Sequence, residues 1–351
     1  MSATMKAIKI ESQGKAAVVD TPVPQLRPDR ALVKTVAVAL NPTDWKHIHF
    51  VPGTEGCTAG CDFAGVVQEV GANVTTLKKG DRIAGWSHGG NSSNKEDGAF
   101  GEYLVAKEGI NLKIPTGVSF EDAATLGVGI TTVGQGLYQS LKLPLPSQPS
   151  KERFPVLVYG GSTATGALAV QFAKLSGLKV IATASPRNFD MLKSLGADAV
   201  FDYNSPTVGA DIRKHTANKL YYAFDCIAEG SSAQICADAL SSDEGKPAYS
   251  ALLFCEFPRK DIQPRYTLGY TTFGETFTKA FGPGEFPASK EDYEFGSSFW
   301  KLTEQLLAEG KFKVHRPDVR GGGLEGVLEG LEELKAGKVS GKKLVYKIAD
   351  A

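Results

Sequence analysis

Long apolar runs, an excess of one charge and an N-terminal signal core are all missing from this sequence. Its 351 residues include 39 basic and 39 acidic side chains, so no net field points to nucleic acid or an anionic membrane as a partner. No run of about 18 apolar residues occurs, which excludes a membrane-spanning helix. Residues 1–6 carry no apolar core of the kind that begins a secretory signal.

Cysteine is scarce, and the few cysteines present form no disulfide framework. They are Cys57, Cys61, Cys226, Cys236 and Cys255. An odd number at irregular spacing is typical of a reducing compartment. We therefore expect a cytoplasmic protein.

The residues that are present predict two domains of different character. At 42% apolar and 22% charged, the chain has the composition of a globular protein, and its length suggests about two domains. Short strands and glycine turns fill residues 5–106, with strands expected at 31–38, 63–70, 81–84 and 100–105. Strands spaced so closely favour a partly open barrel or sandwich.

From residue 155 onward, strands and helices alternate. Strands are expected at 156–159, 179–184, 199–201, 222–226 and 248–254, with helices at 166–175, 189–195, 211–215 and 231–240. Such alternation predicts an α/β domain with a doubly wound parallel sheet. Helices at 295–309 and 324–335 follow, and a last strand at 343–348 is expected to complete the N-terminal β domain.

The best candidate for a cofactor site is a glycine-rich turn between the first strand and helix of this domain. Its residues are Gly160, Gly161, Ser162, Thr163, Ala164 and Thr165, closed by Gly166. The spacing is not the plain G-x-G-x-x-G. The context is nonetheless that of a dinucleotide site, because such a turn places backbone N–H groups at a helix N-terminus, where they bind a pyrophosphate.

The end of the second strand predicts NADPH as the cofactor. NADH sites usually carry a carboxylate there for the ribose 2′-hydroxyl, whereas this chain has Ser185, Pro186, Arg187 and Asn188. A guanidinium and neutral hydrogen-bonding groups suit a 2′-phosphate. The alternative is that Arg187 is an ordinary solvated residue at a helix start, which is common for arginine. Tyr203, after the third strand, is a further candidate for the same phosphate site or an ordinary half-buried tyrosine.

Several segments together resemble the medium-chain dehydrogenase/reductase superfamily. They are residues 41–46 (NPTDWK), 60–67 (GCDFAGVV), 80–82 (GDR) and the turn at 160–166, in that order. The resemblance implies a GroES-like, β-rich catalytic domain formed by residues 1–135 and 305–351. It implies a Rossmann cofactor domain formed by residues 136–304.

The chain also resembles, more narrowly, the trans-acting enoyl reductases of fungal polyketide synthases, of the lovastatin type. The matching segments are 143–147, 159–165, 185–190, 200–203 and 273–275. This implies NADPH-dependent reduction of the C=C bond of an α,β-unsaturated thioester, which an acyl carrier protein or synthase delivers. It also implies a monomer. The sequence leaves two alternatives open: a free NADPH-dependent quinone or enone reductase, and a non-catalytic NADPH-binding scaffold or sensor.

Zinc is not expected, although alcohol dehydrogenases of this superfamily bind it through Cys, His and often Glu. The corresponding positions hold Cys61 and Asp62, the early ligand cysteine is replaced within residues 41–44, and residues 85–101 contain no cysteine. Cys57, Cys61, Asp62, His47 and His49 match no known zinc spacing. Reduction of a conjugated C=C needs less polarisation than alcohol oxidation, since the enolate charge spreads over the carbonyl.

The resemblance also implies the site residues. The expected catalytic residues are Lys46, as a donor to the developing oxyanion, with Thr131 and Thr132. Pro42, Thr43, Asp44, Leu252, Leu253, Val339 and Ser340 are expected to contact the cofactor. Leu268, Gly269, Tyr270, Thr271, Thr272 and Phe273 are expected to contact the substrate. No general acid is evident, and water is the expected proton source.

Overall fold

The computed structural model describes residues 4–350 of the chain. They divide into two compact units. The first unit is formed by Met1–Val128, Tyr270–Glu309 and Val314–Ala351, and the second by Gly129–Gly269 and Gly310–Lys313. Among the described residues, no helix is both long enough and apolar enough to cross a membrane.

The first part of the chain is rich in strands. Its elements are β1 (Thr4–Ser12), β2 (Lys15–Pro22), β3 (Arg30–Ala39), α1 (Pro42–Phe50), β4 (Asp62–Val70), β5 (Arg82–Trp86), β6 (Tyr103–Lys107), β7 (Asn111–Lys113) and α2 (Phe120–Ala124). Ser119 caps α2 by accepting the N–H of Asp122. The glycine- and threonine-rich stretch that follows is helical, as α3 (Gly127–Val133) and a π-helical segment (Gly134–Ser140).

The second unit contains the alternating elements predicted from the sequence. They are β8 (Pro155–Tyr159), α4 (Ala164–Leu175), β9 (Lys179–Ala184), α5 (Phe189–Ser194), β10 (Ala199–Asp202), α6 (Val208–His215), β11 (Tyr222–Asp225), α7 (Ser232–Ala239), β12 (Ala248–Ala251) and β13 (Arg265–Tyr266). The strands form one sheet in the order β10-β9-β8-β11-β12-β13, with parallel pairing throughout. This is the doubly wound order, with its switch point between β8 and β11.

The last part of the chain returns to the first unit. After a 3₁₀ helix (Gly269–Phe273) come β14 (Phe277–Thr278), β15 (Glu285–Phe286), α8 (Lys290–Ala308), β16 (Pro317–Arg320), α9 (Gly323–Lys335) and β17 (Lys343–Lys347). β17 pairs antiparallel with β3. The prediction that the last strand completes the N-terminal β domain is therefore confirmed.

Both units have a core of aliphatic and aromatic side chains. In the first unit, Phe63, Ile83 and Phe100 are fully buried within one cluster. In the second unit, Leu157 and Ile181 from adjacent strands of the parallel sheet are fully buried in another. Burying such side chains stabilises each unit by roughly 1.5–3 kcal/mol per residue.

Three stretches differ from the predicted domain assignment. Residues 129–135 and 310–313 were expected in the catalytic domain but belong to the second unit. Residues 270–304 were expected in the cofactor domain, but Tyr270–Glu309 belongs to the first unit. α8 packs against β7, where Glu304 accepts a hydrogen bond from the Lys113 backbone N–H at 2.6 Å. The amphipathic pattern predicted a helix here but carries no information about which domain its apolar face meets.

Several element boundaries also differ, among them those of β6 (Tyr103–Lys107) and α6 (Val208–His215). α8 begins at Lys290 and not at 295, because the Ser289 hydroxyl accepts the N–H of Asp292 and caps the helix there. β12 ends at Ala251 and not at 254. The residues after it leave the sheet, and Phe254 is 75% exposed, so the apolar run there is not a buried strand.

Candidate active site

The glycine-rich turn between β8 and α4 has the close packing that a dinucleotide site needs. Gly160 has a φ of +74°, a conformation that favours glycine. A Cβ on Gly166 would lie 2.2 Å from the Gly160 carbonyl oxygen, so only glycine allows the helix to begin so close to the strand. Thr163 caps α4 by accepting the N–H of Gly166 at 2.9 Å.

The neighbouring strand fixes the turn. Thr183 of β9 accepts the N–H of Gly160 on its hydroxyl at 3.0 Å and the N–H of Gly161 on its carbonyl at 2.9 Å. Ala164 and Thr165, in the first turn of α4, have no intrahelical acceptor for their N–H groups because of their position. The turn therefore fits the pyrophosphate of a dinucleotide, and Ala164 and Thr165 would hold it.

The end of β9 leads into a short 3₁₀ turn, Pro186–Asn188. The Asn188 amide donates to the Ser185 hydroxyl at 3.2 Å, which holds the turn in shape. Arg187 is exposed on it. The turn thus presents a guanidinium and no carboxylate.

Three other predicted cofactor contacts follow strands of the same sheet. Tyr203 follows β10, is 40% exposed, and its ring lies 6.5 Å from that of Tyr159. Leu252 follows β12 and donates its N–H to the Asp225 carbonyl at 3.2 Å, while Leu253 is 39% exposed. Ligands bind at the carboxyl ends of the strands in doubly wound sheets, so these positions suit cofactor contacts.

The first unit contains helix α1, which the sequence analysis did not predict. Pro42 begins it, and Asp44 accepts the N–H of Asn41 at 2.7 Å. Thr43 is half-buried. Burial raises the pKa of Asp44 to about 7, and the neighbouring Asp62 carboxylate adds to the increase.

Lys46 lies on the same helix and is half-buried. Its Nζ lies 5.7 Å from the centroid of the Trp45 ring, within reach of a cation–π contact. Thr131 is buried and Thr132 half-buried, both on α3. Near the C-terminus, Val339 packs at the edge of the first unit's core, and Ser340 is exposed.

A buried ammonium group lies between two residues of the motifs identified in the sequence. Lys343 donates from Nζ to Asp62 Oδ2, to Asn41 Oδ1 at 2.9 Å and to the Thr125 carbonyl at 3.2 Å. The other oxygen of Asp62 accepts the Val128 N–H at 2.7 Å. Sequence analysis missed Lys343, and no local pattern could have indicated it, because its partners lie far away in the chain.

The side chains around this ion pair do not fit a zinc site. Burial and the carboxyls of Asp44 and Asp62 raise the pKa of the Cys61 thiol well above its usual value, which disfavours the thiolate that binds zinc. His47 uses both ring nitrogens, one with the Thr43 carbonyl and the other with Lys279. Among residues 4–350, no three His, Cys, Asp or Glu side chains are grouped to hold a metal.

The predicted substrate segment consists of Leu268 and the 3₁₀ helix that follows it, and its residues from Tyr270 onward belong to the first unit. Tyr270, Thr272 and Phe273 are buried, while Leu268, Gly269 and Thr271 are half-buried. Within the first unit, the Tyr270 ring stacks on His88 at 4.1 Å between centroids, and Phe273 lies 4.7 Å from Trp86. Tyr270 and Phe273 therefore belong to an aromatic cluster that includes Trp86 and His88.

Polar groups connect this aromatic cluster to α1. The Tyr270 hydroxyl lies 2.9 Å from Thr43 Oγ1, and Nζ of the buried Lys279 lies 2.8 Å from His47 Nε2. Sequence analysis named Thr43 and Tyr270 for separate roles. It gave Lys279 no role, since residues 276–292 lack a regular pattern.

Comparison with known proteins shows which family the chain belongs to. Residues 27–116 match the family described as "Alcohol dehydrogenase GroES-like domain", and residues 164–273 match "Zinc-binding dehydrogenase". A trans-enoyl reductase of Alternaria alternata is 50% identical over 98% of this chain and 99% of its own length. Another from Aspergillus sclerotiorum is 48% identical over 98% of this chain and its full length.

Solved structures share the fold at lower identity. An alcohol dehydrogenase superfamily protein from Novosphingobium aromaticivorans superposes with a TM-score of 0.80, at 20% identity, over 99% of this chain and 100% of its own. The predicted combination of a GroES-like β domain and a Rossmann domain is confirmed.

Proposed function

The chain belongs to the trans-enoyl reductases of the medium-chain dehydrogenase/reductase superfamily, and we propose that it uses NADPH to reduce the C=C bond of a carrier-bound, α,β-unsaturated polyketide thioester. The observation that carries this proposal is the near full-length similarity to curated trans-enoyl reductases, at 50% identity over 98% of the chain. The glycine turn at Gly160 and Gly166, whose packing leaves no room for a side chain, supports the use of a dinucleotide.

The family binds a nicotinamide cofactor, and the 3₁₀ turn after β9 favours the phosphorylated form. Arg187 is exposed there, beside Ser185 and Asn188. A guanidinium binds a phosphate through charge-assisted hydrogen bonds, which the ribose hydroxyl of NADH cannot match. A carboxylate, which would repel the phosphate, is missing from this turn.

A nicotinamide cofactor held at the turn by Ala164 and Thr165 would supply the hydride for the β-carbon of the thioester. Lys46 stabilises the negative charge that develops on the thioester oxygen, because an ammonium group can donate a hydrogen bond to it. Thr131 and Thr132 position the reacting groups. One such donor is typically worth about 10²–10³ in rate.

No zinc takes part in this proposed mechanism, although one matching family is described as zinc-binding. The Lys343 ammonium sits between Asn41 and Asp62, and a divalent cation at these side chains would meet a fixed positive charge. Within the described residues, Cys61, Asp44 and His47 do not form a substitute for the Cys, His and Glu ligands of the zinc-dependent alcohol dehydrogenases.

The aromatic residues Tyr270 and Phe273, with their half-buried neighbours, are proposed to contact the acyl chain. We propose that an acyl carrier protein or a polyketide synthase delivers the substrate, which is the sense in which the reductase acts in trans. We further propose that the enzyme is a monomer. We also propose that it acts in the cytoplasm, in line with the irregular cysteine spacing.

Substrate choice tests the proposal directly. Purified protein is mixed with NADPH or NADH and either an enoyl pantetheine thioester or a simple quinone, and oxidation of the cofactor is followed. We expect turnover of the thioester with a strong preference for NADPH. Turnover of the quinone alone would indicate a free quinone reductase, and binding of NADPH without any turnover would indicate a non-catalytic scaffold.

A further inference from the structure

We propose that Lys279, His47 and Thr43 form a proton relay that supplies the proton for the α-carbon of the substrate, with Tyr270 positioning the Thr43 hydroxyl. The proposal rests on the proposed enoyl reduction. It assigns a protein source to a proton that the sequence alone attributed to water.

The atoms of the relay follow one another at hydrogen-bonding distance. Lys279 Nζ donates to the Gly90 carbonyl at 3.1 Å and lies 2.8 Å from His47 Nε2. On the other side of the imidazole, His47 Nδ1 lies 2.8 Å from the Thr43 carbonyl and 3.2 Å from Thr43 Oγ1. The Tyr270 hydroxyl lies 2.9 Å from the same Oγ1.

These partners determine the tautomer of His47. A carbonyl oxygen can only accept, so Nδ1 carries the hydrogen that faces Thr43. Nε2 then accepts from the Lys279 ammonium. Burial lowers the pKa of His47 to about 3, and the nearby Lys279 charge lowers it further. The ring is therefore neutral at working pH, and it can transfer a proton by exchanging tautomers but cannot store one.

Lys279 is the member that stores the proton. It is 4% exposed, and burial lowers its pKa to about 8. The titratable groups that face it are the imidazoles of His47 and His88, the thiols of Cys57 and Cys61, and the phenol of Tyr270, whose ring centroid lies 4.6 Å from Nζ. An ammonium group with a pKa close to the working pH is well suited to give up a proton.

Thr43 is the member through which the proton leaves. It is half-buried, whereas Lys279, His47 and Tyr270 are all buried. Tyr270 cannot move freely, because its ring stacks on His88. A fixed phenol at 2.9 Å holds the Thr43 hydroxyl in one orientation. Thr43 is thus the catalytic residue of the relay, and Tyr270 is a positioning residue.

The proton passes along the relay in three transfers. Hydride transfer, the chemistry that a bound nicotinamide would supply, would form the C–H bond at the β-carbon and move the π electrons to leave an enolate. The α-carbon takes the hydroxyl proton of Thr43, Thr43 takes the Nδ1 proton of His47, and His47 Nε2 takes a proton from Lys279. The products are the saturated thioester, a neutral lysine amine and the other imidazole tautomer, and water then returns one proton to the network.

Two variants of Lys279 separate proton supply from structure. Lys279→Met removes the charge, whereas Lys279→Arg keeps the charge and a hydrogen-bond donor but does not release a proton near neutral pH. Lys290→Met, on an exposed lysine of α8, is the matched control. Thr43→Val removes the hydroxyl, and Thr43→Ser should restore it.

The experiment measures kcat against pH with an enoyl pantetheine thioester, and the configuration of the deuterated α-carbon formed in D₂O. In the wild type, we expect kcat to fall as pH rises through about 8, with a single α-carbon configuration. Both Lys279 variants and Thr43→Val should lose about 10²-fold in kcat, lose this pH limb and give a mixture of configurations. Thr43→Ser should recover most of the kcat, the pH limb and the single configuration lost in Thr43→Val, whereas Lys290→Met should behave as the wild type.

The remaining outcomes distinguish an error in the relay from an error in the proposed function. If Lys279→Arg and Lys279→Met both keep the wild-type pH limb and a single configuration, the relay is wrong and enoyl reduction stands. If the wild type does not reduce the thioester at all, the proposed function is wrong and the relay with it. Measured NADPH binding shows whether each variant is folded, and the Thr43 pair still decides if both Lys279 variants fail to fold.

Discussion

Arg30 of β3 donates two hydrogen bonds from Nη2 to the carboxylate of Glu275, at 2.6 and 2.8 Å. Arg30 is 2% exposed, and Lys107 Nζ lies 3.1 Å from the same carboxylate. Glu275 follows the 3₁₀ helix that carries Tyr270 and Phe273. The Glu275 carboxylate therefore contacts two cations, of which Lys107 also pairs with Asp29, and it attaches this helix to the β sheet of the first unit.

Removing this carboxylate should destabilise the protein. Glu275→Ala leaves Arg30 buried without its charged acceptor, and we expect a loss of about 2–3 kcal/mol in the free energy of unfolding. Glu275→Gln should cost less, because one oxygen can still accept. Denaturation in urea measures both, with Glu285→Ala, at an exposed position, as the control. A loss below about 0.5 kcal/mol for Glu275→Ala, a typical surface effect, would contradict this role.

A methyl group in the glycine turn should prevent cofactor binding. In Gly166→Ala, the added Cβ would lie 2.2 Å from the Gly160 carbonyl oxygen and 2.8 Å from Gly161 Cα, so the turn must shift away from α4. We expect the Kd for NADPH to rise at least about tenfold, which corresponds to roughly 1.4 kcal/mol. Titration of NADPH fluorescence measures it. Gly321→Ala, where a Cβ meets no atom within 4 Å, should bind as the wild type does.

Local patterns predicted the elements of the second unit well. β9 spans Lys179–Ala184 as expected, because a short β-branched run between turns is a local signal. The glycine turn could also be located, since its strand, its glycines and its helix are adjacent in the sequence.

Long-range partners could not be predicted in this way. Lys343 meets Asp62 from 281 residues away, and Lys279 meets His47 from 232 residues away. Both lysines occur in stretches that are ordinary in composition, where a lysine is usually solvated. These ammonium groups form buried contacts only because of the tertiary fold. The periodicity of a single sequence does not indicate which lysines the fold will bury.

Cofactor choice should depend on Arg187. In Arg187→Ala, the charge-assisted hydrogen bonds to the 2′-phosphate are lost, and we expect the KM for NADPH to rise about 10- to 100-fold. The KM for NADH should change little, because NADH has no phosphate there. Steady-state kinetics with both cofactors measure the ratio. Lys193→Ala on α5, also exposed, controls for loss of a positive charge, and an unchanged ratio in Arg187→Ala would contradict the assignment.

Lys46 should affect turnover more than cofactor binding. Loss of one donor to a developing oxyanion typically lowers kcat by about 10²–10³, and we expect this of Lys46→Ala. The control is Lys79→Ala, at an exposed lysine of the same unit. Single-turnover kinetics with the thioester, together with the Kd for NADPH, separate the two effects. Unchanged NADPH affinity together with unchanged turnover would remove Lys46 from the mechanism.

Asp44 should make stability depend on pH in the direction opposite to most carboxylates. Burial raises its pKa from 3.8 to about 7, so the folded protein holds this proton where the unfolded chain has released it. The stabilisation that results is full below about pH 3.8 and is lost as pH rises towards 7, by at most about 1.4 kcal/mol per pH unit.

The variant Asp44→Asn isolates this effect from the other carboxylates. Its amide oxygen can still accept the Asn41 N–H, and it has no charge to bury at high pH. We therefore expect the difference in unfolding free energy, variant minus wild type, to increase from pH 5 to pH 8. Urea denaturation across this range measures it, with Asp190→Asn, exposed on α5, as the control. A difference that stays constant with pH would mean that Asp44 keeps an ordinary pKa, because only a proton bound in one state and not in the other makes stability depend on pH.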